Sequence, residues 1–288
     1  MTPEFKKFGL SLALSLIVYS ATGVAQAQDK PVTSGVTTLN FGSSPDPEPD
    51  WIITLGVGTE YGPSYEGAKR TGFSFMPSDL SIRRASEPDG FSAPDDGFDY
   101  TLFDWGNFSF GPVGNYRSGR FLTDDHRLTG LHAIVSTLDA GGFAEYWILA
   151  DRLRARVEVR QALRSREGLV ADLSADWVQP YGAFTASLGP RLSIGNGTYM
   201  RSWYGVTSQE AADSPFVQEF HPSAGVKSFG AMAALRYTFS PSWSGTVYDG
   251  FQRLVGDAAS SPITSRVGSR NQNTVGLSVT YSFGLKFH

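Results

Sequence analysis

The sequence predicts an all-β protein, a closed antiparallel up-and-down transmembrane β-barrel of about 12 strands over residues 51–288. Three observations carry that prediction. Segments with an apolar or small residue at every second position recur from Trp51 to the C-terminus, the period of a strand whose two faces meet different surroundings. The connections between them come in two sizes, short turns alternating with longer loops, as in outer-membrane barrels. An N-terminal export signal is followed by no further run approaching the ~18 continuous apolar residues of a membrane helix.

The elements follow in order. Lys6 and Lys7 precede the apolar run FGLSLALSLIVYSATGVA, and Ala25-Gln26-Ala27 supplies the small residues of a cleavage site. Residues 1–27 are therefore expected to be a secretory signal peptide. Residues 28–50 lack periodicity and end in a Pro/Asp/Glu run, which predicts a flexible arm on the periplasmic side. Strands are then expected at 51–61, 72–84, a short one near 91–94, 97–103, 107–117, 130–148, 152–163, 167–179, 183–195, 226–239, 243–254 and 273–287. An even number of strands returns both termini to the periplasmic side. In the last strand the alternation runs through Leu285 to Phe287, making Phe287 the candidate terminal aromatic.

LRARVEVRQAL, residues 153–163, shows the pattern at its sharpest. Leu153, Ala155, Val157 and Val159 alternate with Arg154, Arg156, Glu158 and Arg160. At 100° per residue a helix would scatter the apolar set over both sides, whereas a strand gathers it on one face. A soluble sandwich also alternates, so the choice rests on the rest of the chain. The threading places Trp51, Trp105, Trp147, Trp177 and Trp243 at periplasmic strand ends or turns, and only Trp203 in an outer loop. Such an aromatic girdle belongs to a membrane interface, and a sandwich gives no reason for it.

Composition narrows the function classes. The chain has 288 residues, no cysteine, 32 glycines and a formal net charge of −4. That excludes disulfides, a thiolate nucleophile and a Cys-ligated zinc site, and it disfavours nucleic acid as a partner. The most distinctive chemistry is a charge ladder on the expected inner face. Arg154, Arg156, Glu158 and Arg160 are followed by Asp172 and Asp176, then Arg191, with Arg236 on the next strand after a long loop. Two readings stay open: opposite charges paired across strands to plug a narrow lumen, or a selectivity ring in a small pore.

Other candidates are weaker. Asp124-Asp125-His126 lies in an expected outer loop, where a solvated charge cluster is the default. TYMRSWYGVTSQEAADS, 198–214, reads as a helix within the longest outer loop, with Ser208 as candidate N-cap. TSRVGSRNQN, 264–273, is a polar basic loop for which an ordinary solvated loop is the default and contact with lipopolysaccharide phosphates the alternative. No catalytic residue, metal site or cofactor site is assigned.

Several stretches, taken together, resemble a known family: YGPSYEG (61–67), GGFAEY (141–146), EVRQALRSREGLVADLSADWV (158–178), SLGPRLS (187–193), YMRSWYGVT (199–207), LVGDAASSPIT (254–264) and GSRNQNTVGLSVTYSF (268–283). They are similar to the MltA-interacting protein (MipA/OmpV) family of Gram-negative outer-membrane proteins. The resemblance implies a barrel in the outer membrane with no agreed catalytic residues. It also implies a structural, scaffolding role linked to peptidoglycan (murein) enzymes, with a lytic transglycosylase and a penicillin-binding protein as partners beside outer-membrane lipid and lipopolysaccharide. A small diffusion pore with a charged lumen is the alternative.

Overall fold

The computed structural model describes residues 49–286, apart from 88, 165 and 166. The expected signal peptide, most of the expected arm and the expected terminal aromatic Phe287 lie outside the described residues.

The strands are β1 Trp51–Pro63, β2 Thr71–Arg84, β3 Phe98–Asp99, β4 Phe103–Asp104, β5 Phe108–Arg117, β6 Thr137–Leu149, β7 Leu153–Ala162, β8 Leu169–Tyr181, β9 Phe184–Gly195, β10 Gly225–Ser240, β11 Trp243–Leu254 and β12 Asn271–Leu285. They form one antiparallel sheet in the order β2-β1-β12-β11-β10-β9-β8-β7-β6-β5-β3, with β4 also on β5. Trp51 pairs with Leu285, so the described chain ends meet at one end of the barrel. The alternation has its expected physical consequence. Val57, Phe75, Leu188, Val247 and Leu277 are exposed on the outside, while Arg154, Arg156, Glu158, Arg160 and Asp176 are buried on the inside. An apolar exterior of this extent around a polar interior is the surface of a membrane-spanning barrel. Among the described residues no helix is long and apolar enough to cross a membrane.

The stave count departs from the expectation at one place. Phe98 pairs with Gly114 and Phe103 with Phe110, so β3 and β4 are two pieces of one broken stave along β5. Residues 91–94 form no strand. Following the alternation round the sheet, β2 and the β3–β4 stave run in the same direction, and no ladder joins them among the described residues. Among the described residues the barrel thus has eleven staves and is nearly closed, with a seam that has no strand pairing. The residues that return from the foot of β2 to the start of β3 climb inside the lumen instead of in the wall. Their sequence explains this, because Pro94, Asp95 and Asp96 suit neither a ladder nor a lipid-facing surface.

A second difference is that β6 starts at Thr137, with 130–136 in a loop that holds one bridge between Arg120 and Ile134. Leu131 and Ile134 are buried there, three residues apart, and they pack into a cap instead of alternating along a strand. That cap is the dry core of the molecule. It is built from loop residues at the end opposite Trp51, with helices α1 Gly197–Tyr204, α2 Ser208–Asp213 and α3 Gly256–Ser260. One apolar cluster joins Ile134, Val170, Tyr199, Met200, Trp203, Tyr204 and Leu254, and a second joins Tyr65, Leu128, Leu131, Val206 and Ile263.

Candidate functional site: a filled lumen under a folded cap

The register of β7 decides what its charges meet. Arg154 stands opposite Asp176 on β8, Arg156 opposite Glu145 on β6, and Glu158 opposite Asp172 on β8. Arg154 is wholly buried and donates to Asp176 Oδ2 at 2.7 Å and to Glu145 at 3.2 Å. Arg156 reaches Glu145 at 3.2 Å and Glu158 at 2.8 Å, and its guanidinium lies 4.2 Å from the Phe143 ring centre. Arg160 pairs with Glu158 and Asp172. Arg191 on β9 forms an ion pair with Asp176, Nη2 to Oδ1 at 2.8 Å. The buried Asp176 carboxylate therefore joins two arginines from strands on either side of it. Arg236 also points inward but stands apart, with Nε 3.5 Å from Thr246 Oγ1 and no ion pair among the described residues.

The climbing segment enters this network. Asp96 takes two hydrogen bonds from Arg154, at 2.6 and 3.1 Å. Asp95 takes two from Arg191, at 2.6 and 2.9 Å. Asp99 pairs with Arg156 at 2.5 Å, and the Gly97 amide donates to Glu158 at 3.1 Å. Phe91 lies 4.7 Å from the Arg154 guanidinium and packs edge-on to Trp147. Residues 91–99 are thus a strap bound to the inner wall by its aspartates. Between strap and wall remains a cavity of about 50 Å³, bordered by Asp95, Arg156, Glu158, Asp172 and Arg191. That cavity has room for a few water molecules.

The strap residues Asp95, Asp96 and Asp99, and Glu145 on β6, were not among the residues singled out in the sequence. Glu145 carried a signal, since it shares the inward parity of Phe143 and faces Arg156. The aspartates carried none, because they lie in an aperiodic segment whose partners are far away in the chain. Of the five tryptophans, Trp51, Trp105, Trp177 and Trp243 lie outward or at turns of the Trp51 end. Trp147 belongs to the same end but turns inward, donating from Nε1 to Glu145 at 3.0 Å, since it shares the parity of Glu145 on β6. Trp203 is buried in the cap.

The cap is fastened by buried polar contacts. Glu66, in the loop after β1, accepts from Lys227 Nζ at 2.8 Å, from Tyr199 Oη at 2.6 Å and from Tyr204. Burial would raise its pKa, but Lys227 and the two phenols hold it below the usual carboxylate value. Asn196 caps α1 through the Tyr199 amide. The expected 198–214 helix is two helices, and the cap of the second is Thr207, not Ser208. Thr207 and Glu210 form a capping box, which places the N-cap three residues before Glu210. Asp125 is taken by Arg127, at 2.7 and 3.1 Å, which leaves Asp124-Asp125-His126 no ligand geometry. Among the described residues no group of three or more His, Asp or Glu could hold a metal ion.

Residues 55–283 match the family described as MltA-interacting protein MipA. The chain belongs to that family. No curated protein matches the sequence. Among solved structures, the chain is similar to an outer-membrane channel from Pseudomonas putida F1, with 13% identity, covering 85% of this chain and 100% of that one at a TM-score of 0.42. It is also similar to a loop-deletion form of the outer-membrane protein OmpT of Vibrio cholerae, with 7% identity, 81% and 98% coverage and a TM-score of 0.32. The N-terminal β-barrel domain of Pseudomonas aeruginosa OprF shares 13% identity over 62% of this chain and 98% of that one, with a TM-score of 0.27. Likenesses this distant carry no argument about what this family member does.

Proposed function

We propose that the protein is a closed, non-enzymatic barrel of the outer membrane that serves as a structural scaffold for murein enzymes. The observation that supports a scaffold over a pore is the strap. Asp95 and Asp96 occupy the arginines that would otherwise line a channel, and the cavity beside them is only about 50 Å³. The folded cap covers the outer mouth as well. The family's description as MltA-interacting supports a protein partner from the cell-wall machinery. The surfaces open to such a partner are the periplasmic ones: the arm at 28–50 and the turns near Trp105, Asp151 and Tyr181. Lipid on the exterior and lipopolysaccharide at the basic 264–273 loop complete the proposed partners.

Two measurements test this reading. In a planar bilayer the purified protein should show no steady conductance steps, and regular steps altered by Arg156→Ala would replace the scaffold with the pore. In cell envelopes a murein hydrolase or synthase should co-purify with the full chain, and capture should weaken when residues 28–48 are deleted. Undiminished capture would move docking to the turns, and no capture at all would sink the scaffold.

A further inference from the structure

The cap encloses a cation that has no acid. Arg120 lies in the loop after β5, where its backbone exchanges two hydrogen bonds of 2.8 Å with Ile134. That bridge fixes where its side chain enters the cap. Arg120 is 1% exposed, and Tyr65, Ile134, Trp203 and Tyr204 beside it are at most 3% exposed. Its Nη1 donates to the Trp203 carbonyl at 2.6 Å. Nε and Nη2 are buried and have no acceptor among the described residues.

The acids that fasten the cap are already committed. Glu66 takes Lys227, Tyr199 and Tyr204. Asp125 takes Arg127, and Glu210 takes His132 and Thr207. Tyr65, Glu210 and Tyr204 are close enough to act on Arg120 through space, but no hydrogen bond joins them to it among the described residues. Burial pushes the Arg120 guanidinium down to about 10, so it still carries its proton at neutral pH. A buried ion without a counter-charge is costly. A water could accept from Nε or Nη2, but it would leave that charge uncompensated. The same region holds two more buried donors without partners, Trp203 Nε1 and Thr264 Oγ1. Trp203 supplies the carbonyl that Arg120 reaches. The Thr264 amide bonds to Ser261, whose hydroxyl donates to the Tyr204 carbonyl at 2.7 Å.

We propose that Arg120 holds a monovalent inorganic anion, chloride, against Nε and Nη2, and that this ion secures the loop after β5 against α1. One guanidinium offers one positive charge, which a monovalent ion balances and a sulfate or phosphate exceeds. The close enclosure leaves no exit for the rest of a larger molecule that bore a carboxylate or phosphate. A monatomic ion accepts from any direction, so it suits donors as unlike as a guanidinium, an indole and a hydroxyl.

The full chain, refolded in detergent, tests this in chloride or bromide against gluconate at equal ionic strength. Crystals grown in bromide should show anomalous density within hydrogen-bonding range of Arg120 Nε and Nη2. Hydrogen exchange at 118–136 and 197–206 should slow as chloride replaces gluconate, roughly tenfold at about ten times the half-saturating concentration. Exchange in β7 and β8 should not change, and sulfate should protect the cap no better than gluconate. Arg120→Met keeps the length of the side chain and removes its charge, so the barrel should assemble and the cap should exchange equally in chloride and gluconate. If that variant fails to assemble, the bromide density in the native chain decides alone. The proposal is overturned if water alone stands at the guanidinium in bromide, if chloride and gluconate protect the native cap equally, if sulfate protects it as chloride does, or if Arg120→Met keeps the chloride dependence.

Discussion

Asp95 and Arg191 are 96 positions apart in the chain and joined by two hydrogen bonds, of 2.6 and 2.9 Å. That contact fixes the strap to the inner wall, and Asp96 on Arg154 does the same at a second point. The same Nη2 of Arg191 that bonds Asp95 lies 2.8 Å from Asp176, so strap and wall share one carboxylate–guanidinium network.

Removing a fully enclosed cation from that network should cost far more than trimming its edge. Arg154→Ala leaves Asp96, Asp176 and Glu145 facing one another without their common partner, a loss of about 3–5 kcal/mol. Asp95 is about one-third exposed, and Asp95→Asn keeps its shape and one acceptor, so about 1 kcal/mol is expected. Urea unfolding of the refolded barrel measures both, and equal losses would contradict the buried network.

The two faces of β7 should respond differently to charge. Val157→Arg sets a guanidinium against lipid, at about 2–4 kcal/mol near the midplane. Arg156→Ala removes the partner of Asp99, Glu145 and Glu158, so it should also be severe and not a mild lumen change. Adding Glu158→Gln should recover part of the Arg156→Ala loss and none of the Val157→Arg loss. Heat-modifiable gel migration reports assembly in each case, and recovery in both or neither would contradict the assigned faces.

Gly168 should tolerate no side chain. Its φ is +78°, and a Cβ there would meet the Tyr199 amide nitrogen at 2.1 Å. Gly168→Ala therefore combines left-handed strain with a backbone clash, at about 1–3 kcal/mol, and it should undock α1 from the β7–β8 turn. Limited proteolysis should then cut within 196–222 while the barrel still migrates as folded. An uncut cap would mean that the turn and α1 are not coupled.

Acid should loosen α2 before it touches the barrel. Burial alone would raise the pKa of Glu210, but hydrogen bonds from His132 and Thr207 hold it at about 2. A depressed carboxylate stabilises above its ordinary value of 4.5, and that contribution is lost as pH falls from there towards 2. Hydrogen exchange at 207–213 should accelerate over that window, and Glu210→Gln should flatten the dependence. An identical profile in the variant would assign the acid response to another group.

Much of the architecture was legible because it follows from period-two patterning. The faces of β7, β8, β9 and β12 and the tight turns between long strands are local properties, written within a dozen residues each. The strap was not legible, since 85–97 has neither periodicity nor apolar residues enough to mark its place. Loop residues such as Leu131 and Ile134 resembled strand residues because burial in a cap and burial in a wall use the same side chains.

By itself, the sequence determined the class of fold, the order of its long strands and which side of each meets lipid, because alternation acts through neighbours in the chain. Only the tertiary structure decided that there are eleven staves, that the missing one is folded inward as a strap, and that the arginines of β7 and β9 hold it there. Those outcomes depend on pairings across as many as 96 positions, and carboxylates compete for a buried guanidinium by proximity in space, which no local pattern records.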